Sequence, residues 1–333
     1  KNNRQFNFSY SVVFDPTNGK KFEAWIPYPQ SNEVQYISNI DIKTDLEYEI
    51  LNEEKHRNKY IYLYSINGLN EQAHFELSCD VNRMENLSVY FSNVDQLNYL
   101  EGSSQVLVGS IFNNVISENN LSSDNMRSVY DYVLNGMHYG KPTDDKGSKN
   151  YKYIHGGKNP NTGKEWLPND ITYGRKKVAK NELVKSQQKN EKYAYGNGNS
   201  LYACDIGVGN CTDYHSYFIS LSRTLDVPAR FHMGFPIPEG DEGKVGGYHC
   251  WADYYKEDKG WTPVDISEAD KAPEKSDYFF GTICKNRVEF MIGRDFELKN
   301  YNGGSINIFI YPLVEIGDVS SDNFSKSFYF KNL

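Results

Sequence analysis

The feature that most constrains the fold is a short polar segment that leads directly into a helical apolar pattern. It reads Gly-Asn-Cys-Thr-Asp-Tyr-His over residues 209–215, and Asp226-Val227-Pro228 ends the pattern. A thiol at a helix N-terminus is favoured as the thiolate, because unpaired N–H groups and the helix dipole stabilise negative charge. We therefore predict that Cys211 is a nucleophile at the start of a helix. The apolar stripe of that helix comprises Tyr214, Phe218, Ile219, Leu221 and Leu225.

A nucleophile of this kind needs a base and a group that orients the base, and the sequence after this helix offers one candidate for each. His249 begins a strand-like segment, and Asp265 follows the next one. The turn at 256–260 between these segments is typical of a hairpin, which places their side chains near enough for a carboxylate to hold an imidazole tautomer. The sheet must then pack against the N-terminal end of the Cys211 helix.

Each of these residues also has an ordinary explanation. Cys211 before a helix could be a small buried side chain, His249 a core histidine, and Asp265 a helix cap. Their order, and their placement on a helix and two strands, favours the joint interpretation. His215 is a rival base one helical turn after Cys211. It has no obvious orienting partner, so packing or hydrogen bonding beneath the site is favoured for it.

The remainder of the chain predicts two domains. Apolar alternation with turn signals runs through residues 1–100 and is typical of a β-sandwich. Helical spacing then covers 111–116 and 126–137. Residues 140–200 are rich in Gly, Asn, Lys and Pro, and we interpret them as a solvated excursion with one short helix at 177–189, or as a substrate-gating lid.

Bulk composition excludes several classes of protein. The 333 residues suffice for two cores, and the net charge of −8 disfavours a nucleic-acid partner. No apolar run approaches the roughly 20 residues of a membrane span. The sequence begins at Lys1 rather than Met, so the chain is either processed or trimmed, and we favour an exported, periplasmic or extracellular location.

Cysteine usage points to a reactive thiol rather than to disulfides or zinc. The five cysteines are odd in number and form no CxxC pair, so a disulfide framework, a bound metal and a cofactor are not expected. Cys250 alternates to the opposite strand face from His249 and should point into the core. Cys204 is near the nucleophile in sequence and could form a regulatory disulfide with it. We expect Arg230 to be a structural ion-pair partner rather than a substrate clamp.

Four blocks of sequence are the most specific in the chain. They are Gly-Asn-Cys-Thr-Asp-Tyr-His-Ser at 209–216, Val-Pro-Ala-Arg-Phe at 227–231, Gly-Tyr-His-Cys-Trp at 247–251 and Gly-Trp-Thr-Pro-Val-Asp-Ile-Ser-Glu-Ala at 260–269. With these blocks, the chain from about residue 105 to 315 resembles the bacterial transglutaminase-like superfamily. The N-terminal segment 24–29 is similar to a β domain that often precedes this core.

The resemblance implies an α+β fold, in which a papain-like transglutaminase core at 101–333 packs a helix on an antiparallel sheet and follows an all-β sandwich at 1–100. It also implies a Cys-His-Asp site made of Cys211, His249 and Asp265. The expected reaction is acyl transfer from an amide or peptide bond through a Cys211 thioester. Hydrolysis by a peptidase or amidase is favoured over transfer to an amine, and a non-catalytic peptide- or glycan-binding module is the other alternative.

Two departures from the family pattern bear on the site. The chain carries an insertion at about 140–195, and Tyr195 replaces a Trp usual ahead of the nucleophile. The backbone N–H of Cys211 is the natural first oxyanion donor. Tyr195, Tyr202 and Asn210 are alternatives for the second donor or for the channel wall. Expected partners are a peptide, protein or cell-wall peptide substrate and a protein that docks on the N-terminal β domain.

Overall fold

The computed structural model describes residues 2–142, 158–187 and 192–333, and in these ranges strands outnumber helices. The strands are β1 (Asn3–Phe14), β2 (Phe22–Tyr28), β3 (Gln35–Thr44), β4 (Glu47–Asn52), β5 (Lys59–Ser65), β6 (Ala73–Met84), β7 (His138–Tyr139), β8 (Thr172–Tyr173), β9 (Val178–Ala179), β10 (Val208–Gly209), β11 (Ala229–Pro236), β12 (Glu242–Lys244), β13 (His249–Lys256), β14 (Gly260–Val264), β15 (Arg287–Ile292), β16 (Leu313–Ile316), β17 (Val319–Ser320) and β18 (Phe324–Asn332). The helices are α1 (Ile111–Glu118), α2 (Met126–Gly136), α3 (Ser200–Ile206), α4 (Cys211–Thr224) and α5 (Ile266–Lys271). The prediction of a mixed α and β chain is confirmed.

The chain folds into two compact units that alternate along the sequence. Unit 1 comprises Lys1–Asn86, His232–His249 and Cys284–Leu333, and unit 2 comprises Leu87–Phe231 and Cys250–Ile283. The chain therefore passes between the units within β11 and again between the first two residues of β13. The assignment of residues 1–100 and 101–333 to two domains stays a prediction.

Unit 1 contains two antiparallel five-stranded sheets. Their strand orders are β12-β18-β1-β6-β3 and β17-β16-β2-β5-β4. Apolar alternation within residues 1–100 predicts strands at 6–12, 22–26, 36–42, 60–64 and 74–79, and these are confirmed as β1, β2, β3, β5 and β6. Strands from the end of the chain complete both sheets, because β18 pairs with β1 and β16 pairs with β2.

The core of unit 1 is aromatic and follows from the alternation of β1. Every second side chain of this strand is buried, and the ring of Phe8 lies 5.0 Å from that of Phe235 and 5.5 Å from that of Phe290. Phe235 and Phe290 belong to β11 and β15, which pair with each other. Full burial of one such side chain contributes about 1.5–3 kcal/mol. The buried residues of β1 are Phe6, Phe8, Tyr10, Val12 and Phe14.

Unit 2 is built around α4. This helix packs against α1, α2, α3 and α5, and all of its residues from Cys211 to Ser222 are buried. A helix that is covered on every side is a core helix rather than an amphipathic surface helix. Beyond its C-cap at Leu225, Asp226 has a φ of 60°, so the chain leaves the helix where the sequence predicts.

One short strand pair lies just before α4, and another forms the predicted hairpin. β7 and β10 pair in parallel and place Tyr139 opposite Gly209, two residues before Cys211. β13 and β14 pair antiparallel, which confirms the hairpin. The predicted helix at 177–189 is wrong for the residues described, because β9 and a 3₁₀ turn occupy 178–182. The end of that segment, at 188–189, and residues 143–157 of the predicted insertion lie outside the described ranges.

Candidate active site

Cys211 is the first residue of α4, and a reciprocal capping box holds the helix terminus. The Oδ1 atom of Asn210 accepts the backbone N–H groups of Thr212, at 3.0 Å, and Asp213, at 3.4 Å. The Asp213 carboxylate in turn accepts the backbone N–H of Asn210 at 3.0 Å. Capping of this kind fixes the first turn of a helix and so orients the side chains that it carries. The predicted position of the nucleophile is confirmed, whereas its reactivity stays a prediction.

The carboxylate of Asp213 also holds the loop that precedes α3. It accepts the N–H of Gly196 at 2.8 Å and the N–H of Gly198 at 3.0 Å. Asp213 is fully buried, and this burial raises the pKa of its carboxyl to about 7 against the opposing effect of these N–H groups. Asp213 was not singled out from the sequence, although the Asn-x-x-Asp spacing at 210–213 is a capping-box signal.

The sulfur of Cys211 contacts a second cysteine. Its Sγ lies 3.5 Å from the Sγ of Cys250, which also lies 3.1 Å from the hydroxyl of Thr212. Burial of Cys250 is confirmed, but strand alternation did not reveal this contact with the nucleophile. Cys204 instead hydrogen-bonds Tyr217 and Arg175, and burial raises the pKa of its thiol.

His215 connects the first turn of α4 to α5. Its Nδ1 lies 2.7 Å from the carbonyl oxygen of Cys211, and its Nε2 lies 3.0 Å from the backbone nitrogen of Ile266. Because a carbonyl only accepts and an amide N–H only donates, the ring donates from Nδ1 and accepts at Nε2. Both ring nitrogens are thus used in hydrogen bonds with the backbone. This agrees with the predicted hydrogen-bonding role of His215 beneath the site.

Asp265 lies in the same unit as Cys211 and caps α5. Its Oδ1 accepts the N–H of Glu268 at 3.2 Å and the hydroxyl of Ser267 at 3.4 Å, and it lies 4.0 Å from Nε2 of His215. The helix-cap interpretation is confirmed, and it is compatible with a second role because a carboxylate has two oxygens. The role of Asp265 as orienting group stays a prediction.

His249, the predicted base, is the first residue of β13 and is buried. It ends a segment of unit 1 and immediately precedes Cys250 of unit 2. The structure therefore brings Cys211, Cys250 and Asp265 together in one unit, with His215 between the helices. The participation of His249 stays a prediction.

The three candidates for the oxyanion donor or the channel wall occupy different environments. Tyr195 is half-buried, its N–H donates to Oε1 of Gln187 at 3.1 Å, and the ammonium of Lys141 lies 5.7 Å from its ring. Tyr202 is fully buried on α3. The carbonyl of Asn210 serves the helix cap, which leaves the amide Nδ2 as its donor atom. The oxyanion assignment stays a prediction.

An open cleft of about 730 Å³ lies in unit 2 near the start of α4. Its wall includes Tyr139, which stands opposite Gly209, and Asp270, which accepts the hydroxyl of Tyr214 from α4. Burial raises the pKa of the Asp270 carboxyl to about 6. The lining residues are His138, Tyr139, Asn159, Thr162, Lys164, Glu165, Trp166, Pro168, Asn169, Asp170, Asp270 and Pro273.

Two features are absent from the described residues. Among residues 2–142, 158–187 and 192–333, no three His, Cys, Asp or Glu side chains are grouped so that they could hold a metal ion. Over the same ranges, no helix combines the length and the apolar character that crossing a membrane requires.

Comparison with known families decides how this site is classified. The sequence profile of the transglutaminase-like superfamily matches residues 166–266. This chain carries a transglutaminase-like domain. The matched stretch contains Cys211, His249 and Asp265, together with the capping box and the β13–β14 hairpin. The resemblance found from the sequence is therefore confirmed.

Relatives of this transglutaminase-like chain are distant or partial. An uncharacterised protein of Haemophilus influenzae is 31% identical over a 170-residue alignment that covers 40% of this chain and 46% of that protein. The chain thus spans less than half the length of this relative. A proposed cysteine protease of Cytophaga hutchinsonii, 13% identical, superposes with a TM-score of 0.52 over 99% of each chain, so the two share a fold.

A weaker structural likeness involves a protein of Pseudomonas aeruginosa. The periplasmic domain of TgpA is 13% identical and gives a TM-score of 0.37, with 81% of this chain and 73% of that one covered.

Proposed function

We propose that this protein catalyses cysteine-dependent acyl transfer from amide or peptide bonds, with Cys211 as the nucleophile. The observation that carries the proposal is the position of Cys211 as the first residue of a capped, buried helix inside a transglutaminase-like domain. The N–H groups of that first turn favour negative charge on the sulfur. We further propose that residues 101–333 form a papain-like core and that residues 1–100 form an all-β sandwich that docks a protein partner.

The proposed reaction has two steps. In the first, His249 takes the thiol proton, the sulfur of Cys211 attacks the substrate carbonyl, and the proton passes to the leaving amine as the amide C–N bond breaks. In the second, water hydrolyses the resulting thioester and restores the thiol. Asp265 would hold the imidazole of His249 in the required orientation.

Stabilisation of the oxyanion is assigned to two donors. The first is the backbone N–H of Cys211 itself. For the second we favour Asn210, since its Oδ1 faces the helix and its Nδ2 is the end that can donate. Tyr195 and Tyr202 are the alternative candidates for the second donor. We propose that Tyr195 lines the substrate channel, whereas Tyr202 is buried on α3.

The open cleft of unit 2 is the proposed binding place for the substrate. Polar side chains from residues 159–170 and the rings of Tyr139 and Trp166 line it, and this combination suits a peptide or a cell-wall peptide. Part of the insertion would then contribute to substrate binding, which accords with a role as wall or lid. We also propose that the protein is exported to the periplasm or the cell exterior.

Water is favoured as the acyl acceptor, so we propose a peptidase or amidase. Transfer to a primary amine is the alternative, and addition of a lysine analogue with mass analysis of the products would distinguish the two. A non-catalytic peptide- or glycan-binding module is the further alternative. It predicts that Cys211 is no more reactive than a free thiol.

The decisive experiment measures alkylation of Cys211 and thioester trapping. We expect iodoacetamide to label Cys211 near neutral pH faster than a model thiol, and a mixture of peptides and cell-wall fragments to leave an acyl group on it. His249→Ala should abolish the enhanced labelling, while Cys204→Ala, which removes another buried thiol of unit 2, should leave it unchanged. Labelling at the rate of a model thiol would overturn the proposed function, and full labelling of His249→Ala would remove His249 as base.

A further inference from the structure

The structure places a second thiol, that of Cys250, beside Cys211. The proposed acyl transfer does not use this second thiol. The Sγ atoms of Cys211 and Cys250 are 3.5 Å apart, and both side chains belong to unit 2. A disulfide requires about 2.0 Å between the sulfurs, so the two atoms need to approach by only about 1.5 Å.

We propose that Cys250 is a resolving cysteine, which forms a reversible disulfide with Cys211 after a hydroperoxide oxidises Cys211. This is a modification site beyond the proposed catalytic function, and it depends on the pairing of two thiols rather than on turnover.

Position in the fold determines which sulfur reacts first. Cys211 begins α4, where the N–H groups of the first turn favour a thiolate, whereas Cys250 is fully buried within β13, so the oxidant reacts with Cys211. A hydroperoxide group is no larger than the substrate carbonyl that must reach the same sulfur. Any path that admits the substrate therefore admits the oxidant.

The chemistry balances in two steps. The Cys211 thiolate attacks a hydroperoxide oxygen and becomes a sulfenic acid, while the O–O bond breaks and an alcohol or water leaves after taking up a proton. The Cys250 sulfur then attacks the sulfenic sulfur, the S–O bond breaks, and water leaves as the disulfide forms. Cysteine is oxidised and the hydroperoxide is reduced. An added dithiol then reduces the disulfide by exchange, is itself oxidised to a disulfide, and restores both thiols.

The hydroxyl of Thr212 is a hydrogen-bond partner of the Cys250 sulfur. Its oxygen lies 3.1 Å from that sulfur and so orients the thiol beside Cys211. As Cys250 attacks, its thiol proton passes to the departing sulfenic oxygen, which leaves as water. The nearby Cys204 has no comparable arrangement, because its described partners are Tyr217 and Arg175.

The test is peptide mapping of the full chain after treatment with hydrogen peroxide. We expect two of the five thiols to disappear and a Cys211–Cys250 linked peptide to form, with Cys211 alkylation restored by dithiothreitol. In Cys250→Ala, Cys211 should gain two oxygen atoms as sulfinic acid, and dithiothreitol should restore little of its alkylation. Cys204→Ala is the matched control and should retain the linked peptide.

Two results would overturn the proposal. One is over-oxidation of Cys211 at equal rates in the wild type and in Cys250→Ala, without a linked peptide. The other is a linked peptide that joins Cys211 to Cys204. Cys250→Ser serves as a second variant if Cys250→Ala does not fold, which circular dichroism would show. Peptide masses and thiol alkylation do not depend on turnover, so these measurements test the disulfide whether or not the protein hydrolyses any amide.

Discussion

The carboxylate of Asp213 accepts the backbone N–H of Gly196 at 2.8 Å, which ties the loop bearing Tyr195 to the first turn of the nucleophile helix. The same carboxylate holds Asn210 and Gly198. One buried side chain therefore fixes both the start of α4 and the loop beside it. We therefore interpret Asp213 as the residue that positions the first turn of α4 and the Tyr195 loop around Cys211.

Removal of that carboxylate should destabilise unit 2. Asp213→Ala leaves three backbone N–H groups without their acceptor. Each buried unsatisfied donor costs about 1–3 kcal/mol, so we expect a loss of at least about 3 kcal/mol in the free energy of unfolding. Urea denaturation measures it. Asp131→Ala, which removes a partly exposed carboxylate on α2, is the control and should change stability by less than about 1 kcal/mol.

The pH dependence of stability should carry the signature of Asp213. Its pKa is raised from 3.8 to about 7 in the folded protein. Between these values the folded state binds more protons than the unfolded state, so this group lowers the free energy of unfolding as pH rises. Asp213→Asn lacks the effect. The stability of the wild type minus that of Asp213→Asn should therefore fall from pH 4 to pH 7 and then level off, as denaturation at several pH values would show; a constant difference contradicts the shift.

His215 should matter for stability and not as a base. His215→Ala removes a fully buried ring and the acceptor for the N–H of Ile266, and we expect a loss of about 3 kcal/mol or more. His215→Gln retains one donor and one acceptor and should lose less. If His215→Gln keeps its stability but loses the enhanced alkylation of Cys211, then His215 and not His249 is the base.

Arg230 and Asp253 form an ion pair, and we expect substitutions at these two residues to have strongly non-additive effects on the free energy of unfolding. The guanidinium donates to the carboxylate at 3.1 and 2.6 Å, lies 4.2 Å from the ring centroid of Trp261, and is buried. This agrees with the expected structural role of Arg230. Arg230→Met removes the guanidinium from a buried carboxylate and should cost about 3–5 kcal/mol. The double variant with Asp253→Asn should recover much of that loss in urea denaturation, and equal losses in both variants would argue against coupling.

Local patterns predicted the elements well. Alternation predicted the strands of residues 1–100, and the apolar stripe after Cys211 predicted α4 with its end near Asp226. Both patterns reflect side-chain periodicity, which depends only on neighbours in the chain. The region 140–195 was predicted least well, because it has no periodicity and its short β8–β9 pair carries too few residues to leave a pattern.

The sequence alone placed Cys211 at a helix N-terminus and indicated the transglutaminase-like domain, since a motif and a helix signal are local properties of the chain. Only the tertiary structure showed that Cys250 contacts Cys211, that His215 bridges α4 and α5, and that Asp213 holds a loop 15 to 17 residues away. The strands contributed by the end of the chain to unit 1 were likewise visible only in the fold. Contacts between distant residues depend on how elements pack, and packing of separate elements leaves no periodic trace in a single sequence.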